Sequence, residues 1–216
     1  TMDREVLIVD YGIGNLHSVA RAFEFVDTRP TISSDPEQVS KYSHVVLPGV
    51  GAFGNGMEAL RSEGMDAALN TARKSGSNIL AICLGMQLLM DESEEFGTHQ
   101  GLGFIPGKVS RIPSTGSEGQ SIKIPHIGWS RLYPWLQEEG FRTRVLEGFE
   151  KLDPVFYFVH SYQALPEQET DVAAVCKYEG NSLTAIVERD NVVGCQFHPE
   201  KSGSAGLQLI RNFVKN

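Results

Sequence analysis

The chain has 216 residues, 41% of them hydrophobic and 21% charged, and carries a formal net charge of −8. That length lets one ordinary domain bury a full core, and the acidic balance excludes a protein that grips nucleic-acid phosphates through clustered Lys and Arg. No apolar run approaches the roughly 18 residues of a membrane span, and no basic start leads into an apolar signal segment. The three cysteines, Cys83, Cys176 and Cys195, are odd in number and far apart, which predicts a reducing cytoplasm rather than a disulfide framework. Thr1 ahead of Met2 is set aside, and a single domain over residues 2–216 is expected. In chain order, Val6–Val9 reads as a buried strand, followed by Asp-Tyr-Gly-Ile-Gly and a helix from about Asn15 to Val26. Val45–Leu47 is a second strand ending in Pro48-Gly49-Val50-Gly51. Residues from about Gly56 to Ser75 read as helical, and Asn78–Ile82 is a third apolar strand running into Cys83. Short apolar strands alternating with helices predict a parallel sheet covered on both faces. The second half is richer in strands, at Lys108–Ile112, Phe156–His160, Val172–Cys176, Leu183–Val187 and Val192–Phe197, before a closing helix from about Ala205 to Lys215. The expected fold is one α/β domain with a largely parallel central sheet flanked by helices and extra antiparallel strands in the C-terminal half. Ser114 to Gly119 reads as a loop.

The stretch Asn78-Ile-Leu-Ala-Ile-Cys83-Leu-Gly-Met-Gln87 carries the strongest chemical signal. An apolar strand ends at Cys83, a helix begins at once, and the positions two before and two after are the small residues Ala81 and Gly85. That is the strand–nucleophile–helix elbow with cysteine as nucleophile, where a sharp turn crowds the backbone. The following helix aims its N-terminal dipole at the sulfur and favours the reactive thiolate. A buried structural cysteine is the competing reading, and other cysteine hydrolases share the elbow.

Val192-Val-Gly-Cys-Gln-Phe-His198-Pro-Glu200 supplies what Cys83 lacks. In an extended segment side chains alternate, so His198 and Glu200 are expected on one side. A carboxylate beside an imidazole fixes its tautomer and stabilises its protonated form. The same alternation turns Cys195 to the opposite face, and Cys195 and Cys176 both read as core. His17, His44, His99, His126 and His160 show no metal-ligand spacing; no metal and no cofactor are predicted.

Gly49-Val-Gly51-Ala-Phe-Gly54 matches the dinucleotide fingerprint letter by letter and follows a strand. The fingerprint also needs an acidic residue about 20 positions on, and residues 68–74 contain none. Gly12-Ile-Gly14-Asn-Leu-His17 lacks the third glycine. A loop after a strand near the elbow suits backbone N–H groups that hold an oxyanion, with a purely structural tight turn as the alternative.

Taken together these stretches resemble the class I glutamine amidotransferases, in which a cysteine precedes a His-x-Glu near the C-terminus. The resemblance narrows to the glutaminase subunits of imidazole glycerol phosphate synthase. It is carried by Asp10-Tyr-Gly-Ile-Gly-Asn-Leu, Leu47-Pro-Gly-Val-Gly-Ala-Phe, Ile82-Cys-Leu-Gly-Met-Gln-Leu-Leu, Pro125-His-Ile-Gly-Trp129, Tyr157-Phe-Val-His-Ser-Tyr162 and Gln196-Phe-His-Pro-Glu-Lys-Ser202. These blocks are collinear and span nearly the whole chain. The resemblance implies Cys83 as nucleophile, His198 as acid and base and Glu200 as its orienter. It implies backbone oxyanion donors at Val50 and Leu84, on a loop that must flip to become competent. Gly51, Gln87, Ser161 and Tyr162 fall where the family contacts L-glutamine. Pro125, His126 and Trp129 fall where it meets its partner, a cyclase subunit with a (βα)8 barrel that receives ammonia in a heterodimer. Two positions depart from the family pattern: Ala81 stands where glycine is usual, and Ser130 where Asn commonly follows the Gly-Trp pair. Ser130 keeps open a paralogous subunit serving another synthase, such as one amidating a surface sugar. Two further readings are a non-catalytic glutamine-binding regulatory subunit, against which the intact Cys83, His198 and Glu200 argue, and a free cysteine hydrolase, against which the Pro125–Trp129 block argues. The glutaminase domain occupies the whole chain, so a separate ammonia-accepting partner is expected.

Overall fold

The computed structural model describes residues 4–136 and 140–216, so Met2 and Asp3 of the expected domain lie outside the described residues. The chain order is β1 (Arg4–Val9), α1 (Leu16–Phe25), β2 (Thr28–Ser33), α2 (Pro36–Val39), β3 (His44–Leu47), α3 (Phe53–Ser62), α4 (Met65–Lys74), β4 (Asn78–Ile82), α5 (Leu84–Leu88), β5 (Glu92–Ser93), β6 (His99–Gln100), β7 (Gly107–Arg111), β8 (His126–Pro134), β9 (Val155–His160), β10 (Tyr162–Pro166), β11 (Val172–Tyr178), β12 (Asn181–Arg189), β13 (Val192–Cys195) and α6 (Gly203–Lys215). Among the described residues no helix is long and apolar enough to cross a membrane.

A nine-stranded sheet runs β2-β1-β3-β4-β13-β12-β11-β8-β9. Its first five strands pair in parallel and the remaining pairs are antiparallel, as the alternation of elements predicts. Successive residues of a strand face opposite sides, and both sides are apolar here. Val6 and Ile8 of β1 join Leu80 of β4 with Phe23 of α1 and Phe213 of α6. Leu7 and Val9 join Ala81 with Leu60 of α3 and Leu69 of α4. A sheet buried on two faces needs apolar residues at every strand position, which is why these strands stand out in the sequence. A small second sheet, ordered β10-β7-β5-β6, lies beside it.

One expectation is corrected, and two strands appear that the sequence reading did not assign. The single helical stretch from about Gly56 to Ser75 is two helices, broken where Gly64 adopts φ +69°, a conformation glycine enters without steric cost. β2 was not expected, because Pro30 interrupts it; it occupies the sheet edge, where a missing N–H breaks no ladder. The Pro125–Trp129 block begins β8, which pairs with β9 and places His126 opposite His160.

Candidate active site

β3, β4 and β13 are neighbours in the parallel part of the sheet, and the residues that follow their carboxyl ends meet. Open α/β sheets bind ligands outside these ends. Cys83 follows β4 with φ +55° and ψ −111°, a conformation that costs a non-glycine residue energy and clusters at functional sites. The surrounding sequence permits it. A Cβ at Gly85 would collide with the Leu47 carbonyl, and one at Gly49 with the Tyr11 hydroxyl. Ala81 is fully buried in the core beneath the elbow, so its methyl group is accommodated. The Cys83 N–H donates to the Cys195 carbonyl at 2.8 Å, which ties the turn to β13.

His198 comes from the segment after β13. Its Nδ1 lies 2.7 Å from Glu200 Oε1, and the two side chains are only 4% and 3% exposed. The predicted pair is therefore present, but simple strand alternation does not produce it. β13 ends at Cys195, and Pro199–Lys201 forms a 3-10 turn that swings Glu200 back toward the ring. The backbone is pinned by three bonds: His198 N–H to Tyr157 O at 3.0 Å, the Ser202 hydroxyl to His198 O at 2.6 Å, and Tyr157 N–H to Ser202 Oγ at 3.0 Å. Burial alone would depress the imidazole's proton affinity. Hydrogen bonds to Cys83 and Glu200, with their charges, outweigh it and raise His198 to about 10. The site thus holds a histidine, biased toward its protonated form, beside a carboxylate in the cleft that also contains the sulfur. Burial pushes the Cys176 thiol up to about 12, and burial also drives Cys195 well above its ordinary value, leaving both as inert core thiols.

A cleft of about 380 Å³ opens over Cys83 and His198, lined also by Val50, Gly51, Gln87, Ser161 and Tyr162. The structure brings together all four residues expected to hold substrate, Gly51, Gln87, Ser161 and Tyr162, and adds Pro125, His160 and Glu95 to the walls. A neighbouring hollow is larger, about 960 Å³, and shares Glu95, but no cysteine lines it; the smaller cleft is where chemistry can occur. The glycine loop sits beside the elbow, with Gly51 at φ +100°. The Leu84 N–H is engaged by the Gly49 carbonyl at 3.2 Å, so that donor is occupied in this arrangement. Tyr11, whose hydroxyl burial holds protonated, donates to the Pro48 carbonyl at 2.5 Å and fixes the start of the loop.

Some residues behave differently from their expected parts. Gln87 lines the cleft, yet its amide nitrogen donates to Tyr162 O at 3.2 Å and to Gln196 Oε1 at 3.0 Å. His126 is 2% exposed and faces inward, so it is not a surface contact, whereas Trp129 is 58% exposed. Sequence reasoning missed Gln196, whose amide nitrogen approaches Cys83 Sγ at 3.8 Å, although it stands two residues before His198. It also missed Glu95, which accepts the Phe53 N–H at 2.9 Å and carries no motif.

The family described as "Glutamine amidotransferase class-I" matches residues 7–216. Among curated proteins, the chain is 43% identical over 210 residues to "Imidazole glycerol phosphate synthase subunit HisH 1" of Legionella pneumophila (strain Lens), covering 97% of this chain and 98% of that one. It is 45% identical over 212 residues to the HisH subunit of Sulfurimonas denitrificans, covering 97% of each. Among solved structures, a chain of PurLQS from Thermotoga maritima superposes with a TM-score of 0.75 at 21% identity, covering 100% of this chain and 99% of that one. The Trypanosoma brucei CTPS glutaminase domain with bound acivicin gives 0.65 at 17% identity, covering 99% and 94%. At such identities the two structures speak for the fold alone.

Proposed function

The chain belongs to the class-I glutamine amidotransferase family, and on that premise we propose that it is the glutaminase subunit of an imidazole glycerol phosphate synthase, acting in histidine biosynthesis. The observation that carries the catalytic reading is the Cys83 elbow sharing one cleft with His198, whose ring is held by Glu200 at 2.7 Å. The choice of synthase rests on the Legionella and Sulfurimonas relatives, which match over nearly their whole length. That agreement favours this reading over a paralogue for surface-sugar amidation.

In the proposed reaction the Cys83 sulfur attacks the side-chain amide carbon of glutamine, forming a C–S bond and an oxyanion. As the C–N bond breaks, His198 gives its proton to the departing nitrogen and ammonia leaves. Water then attacks the thioester, His198 accepts its proton, and the C–S bond breaks to release glutamate. Glu200 keeps the ring oriented and its charge stabilised throughout. Val50 and Leu84 supply the oxyanion donors once the loop turns and frees the Leu84 N–H. One such donor is worth roughly 10²–10³ in rate, enough for the loop to act as a switch. Gly51, Gln87, Ser161 and Tyr162 form the glutamine site, and Glu95 offers a carboxylate to the substrate's ammonium.

We read residues 2–216 as one glutaminase domain that passes ammonia to a cyclase partner with a (βα)8 barrel. The outward face of β8, with Ile127 and Trp129 exposed, is the proposed docking surface, next to Pro125 at the cleft rim. Three unpaired, buried cysteines support a cytoplasmic location. The test is steady-state glutamine hydrolysis by the chain alone, with purified cyclase, and with cyclase plus its ribonucleotide substrate. Weak, modest and strong turnover are expected in that order. Stimulation only by an unrelated sugar amidase would assign the chain to that synthase, and no hydrolysis under any condition would overturn the glutaminase reading.

A further inference from the structure

Two buried histidines outside the Cys83–His198–Glu200 set form a chain of hydrogen bonds whose direction follows from the bonding groups. His160 Nδ1 lies 2.8 Å from the Tyr162 carbonyl oxygen. A carbonyl can only accept, so His160 carries its proton on Nδ1. Burial holds both His160 and His126 down to about 4, so at neutral pH each ring has one N–H and one lone pair. His160 Nε2 is then an acceptor, and its partner at 3.0 Å, His126 Nδ1, is the donor. That leaves a lone pair on His126 Nε2, which the Ser130 hydroxyl meets at 2.9 Å and to which it must donate. The His126 ring cannot easily turn, because it is stacked between Tyr178 and Phe158 with centroids 4.3 and 5.1 Å away. The proton order is thus set from Ser130 through His126 and His160 to the Tyr162 carbonyl.

Both ends of this chain matter. At one end, His160, Ser161 and Tyr162 line the cleft over Cys83. The Tyr162 carbonyl also accepts from Gln87, whose amide reaches Gln196 and, through it, the Cys83 sulfur. At the other end, Ser130 and His126 are inward residues of β8, while the alternate residues Ile127, Trp129 and Arg131 face outward. The strand that presents the proposed docking surface therefore fixes the cleft wall from its reverse side.

We propose that Ser130, His126 and His160 are positioning residues that hold the glutamine-binding wall in register with Cys83, with the Tyr162 carbonyl setting both histidine tautomers and the Ser130 hydroxyl completing the chain as its terminal donor. The proposal rests on the glutaminase reading, and it gives the departure at position 130 a role: serine, like asparagine, offers a donor here.

The test uses the chain saturated with cyclase and its ribonucleotide substrate. Ser130→Ala is expected to raise KM for glutamine roughly fivefold to tenfold, the worth of one hydrogen bond, with kcat within about twofold. Loss of substrate positioning shared by ground and transition states moves KM and not kcat. Ser130→Thr, which keeps the hydroxyl, is expected to restore KM. Nitrogen-15 NMR of the wild-type chain should find both His126 and His160 protonated on Nδ1, and Ser130→Ala should disturb His126. An unchanged KM in a folded Ser130→Ala variant, or either wild-type ring protonated on Nε2, would overturn the proposal. The NMR arm decides it even for a variant that folds poorly. A wild-type chain without glutamine turnover would instead strike the glutaminase reading, leaving the tautomer result to stand separately.

Discussion

The molecule holds two groups of buried histidine, and burial has opposite outcomes in them. Around His198, Glu200 lies 2.7 Å from one ring nitrogen and Cys83 engages the ring as well, and the proton is held up to about 10. Around His126 and His160 the neighbours are a carbonyl, a hydroxyl, two aromatic rings and each other, and both are pushed down to about 4. Desolvation opposes charge in both places. Only an ionised partner within bonding distance reverses it. A charged ring can give up a proton to a leaving group, whereas His126 and His160, with both ring nitrogens engaged by protein groups, hold their neighbours in place.

That contrast is broken most severely at His198. His198→Ala should lower glutamine turnover of the partner-stimulated enzyme by several orders of magnitude while the fold survives, as steady-state assays and circular dichroism would show. His126→Phe in the same assay should leave kcat within about tenfold, because that ring transfers no proton. Glu200→Gln should fall between, at roughly 10²-fold in kcat, since the ring remains but loses the charge that holds its proton. The same substitution should bring the His198 titration down from about 10, which NMR can follow.

Stability should record the difference as well. His198 has its folded value raised above the ordinary 6.5, so its contribution is fully present below pH 6.5 and is lost as pH rises through about 10. His126 and His160 have theirs lowered, so their contribution is present above pH 6.5 and is lost as pH falls through about 4. Urea midpoints measured from pH 4 to 10 should therefore fall on both sides of neutrality, and Glu200→Gln should flatten the alkaline limb alone. The smallest expected effect is at the exposed face of β8. Trp129→Ala should leave unstimulated turnover and folding unchanged while weakening the partner by about 2 kcal/mol, read by titrating cyclase into the glutaminase assay.

Much of this arrangement was legible in the sequence, for particular reasons. β1, β3 and β4 are buried on both faces and so appear as unbroken apolar runs, and the elbow announces itself because Gly85 packs against the Leu47 carbonyl with no room for a side chain. The His198–Glu200 pair was legible by spacing, yet a 3-10 turn and not strand alternation brings it together. β2 and β8 were hidden because Pro30 and Gly128 interrupt patterns that only tertiary pairing completes. Glu95 reaches the cleft from a turn between two-residue strands, a placement no local pattern encodes. His126 shared a block with the exposed Trp129 but points the other way, which becomes plain only once β8 is known to be a strand.

The most direct test of the account is chemical capture at Cys83. The chain, in complex with cyclase and its ribonucleotide substrate, would be treated with a diazo-ketone glutamine analogue and mapped by peptide mass spectrometry. Stoichiometric modification of Cys83, slowed by glutamine and absent from Cys176 and Cys195, is the predicted result, with loss of glutamine-dependent synthesis and retention of synthesis from ammonium salts. Modification elsewhere with Cys83 untouched, or glutamine hydrolysis persisting in Cys83→Ala, would contradict it.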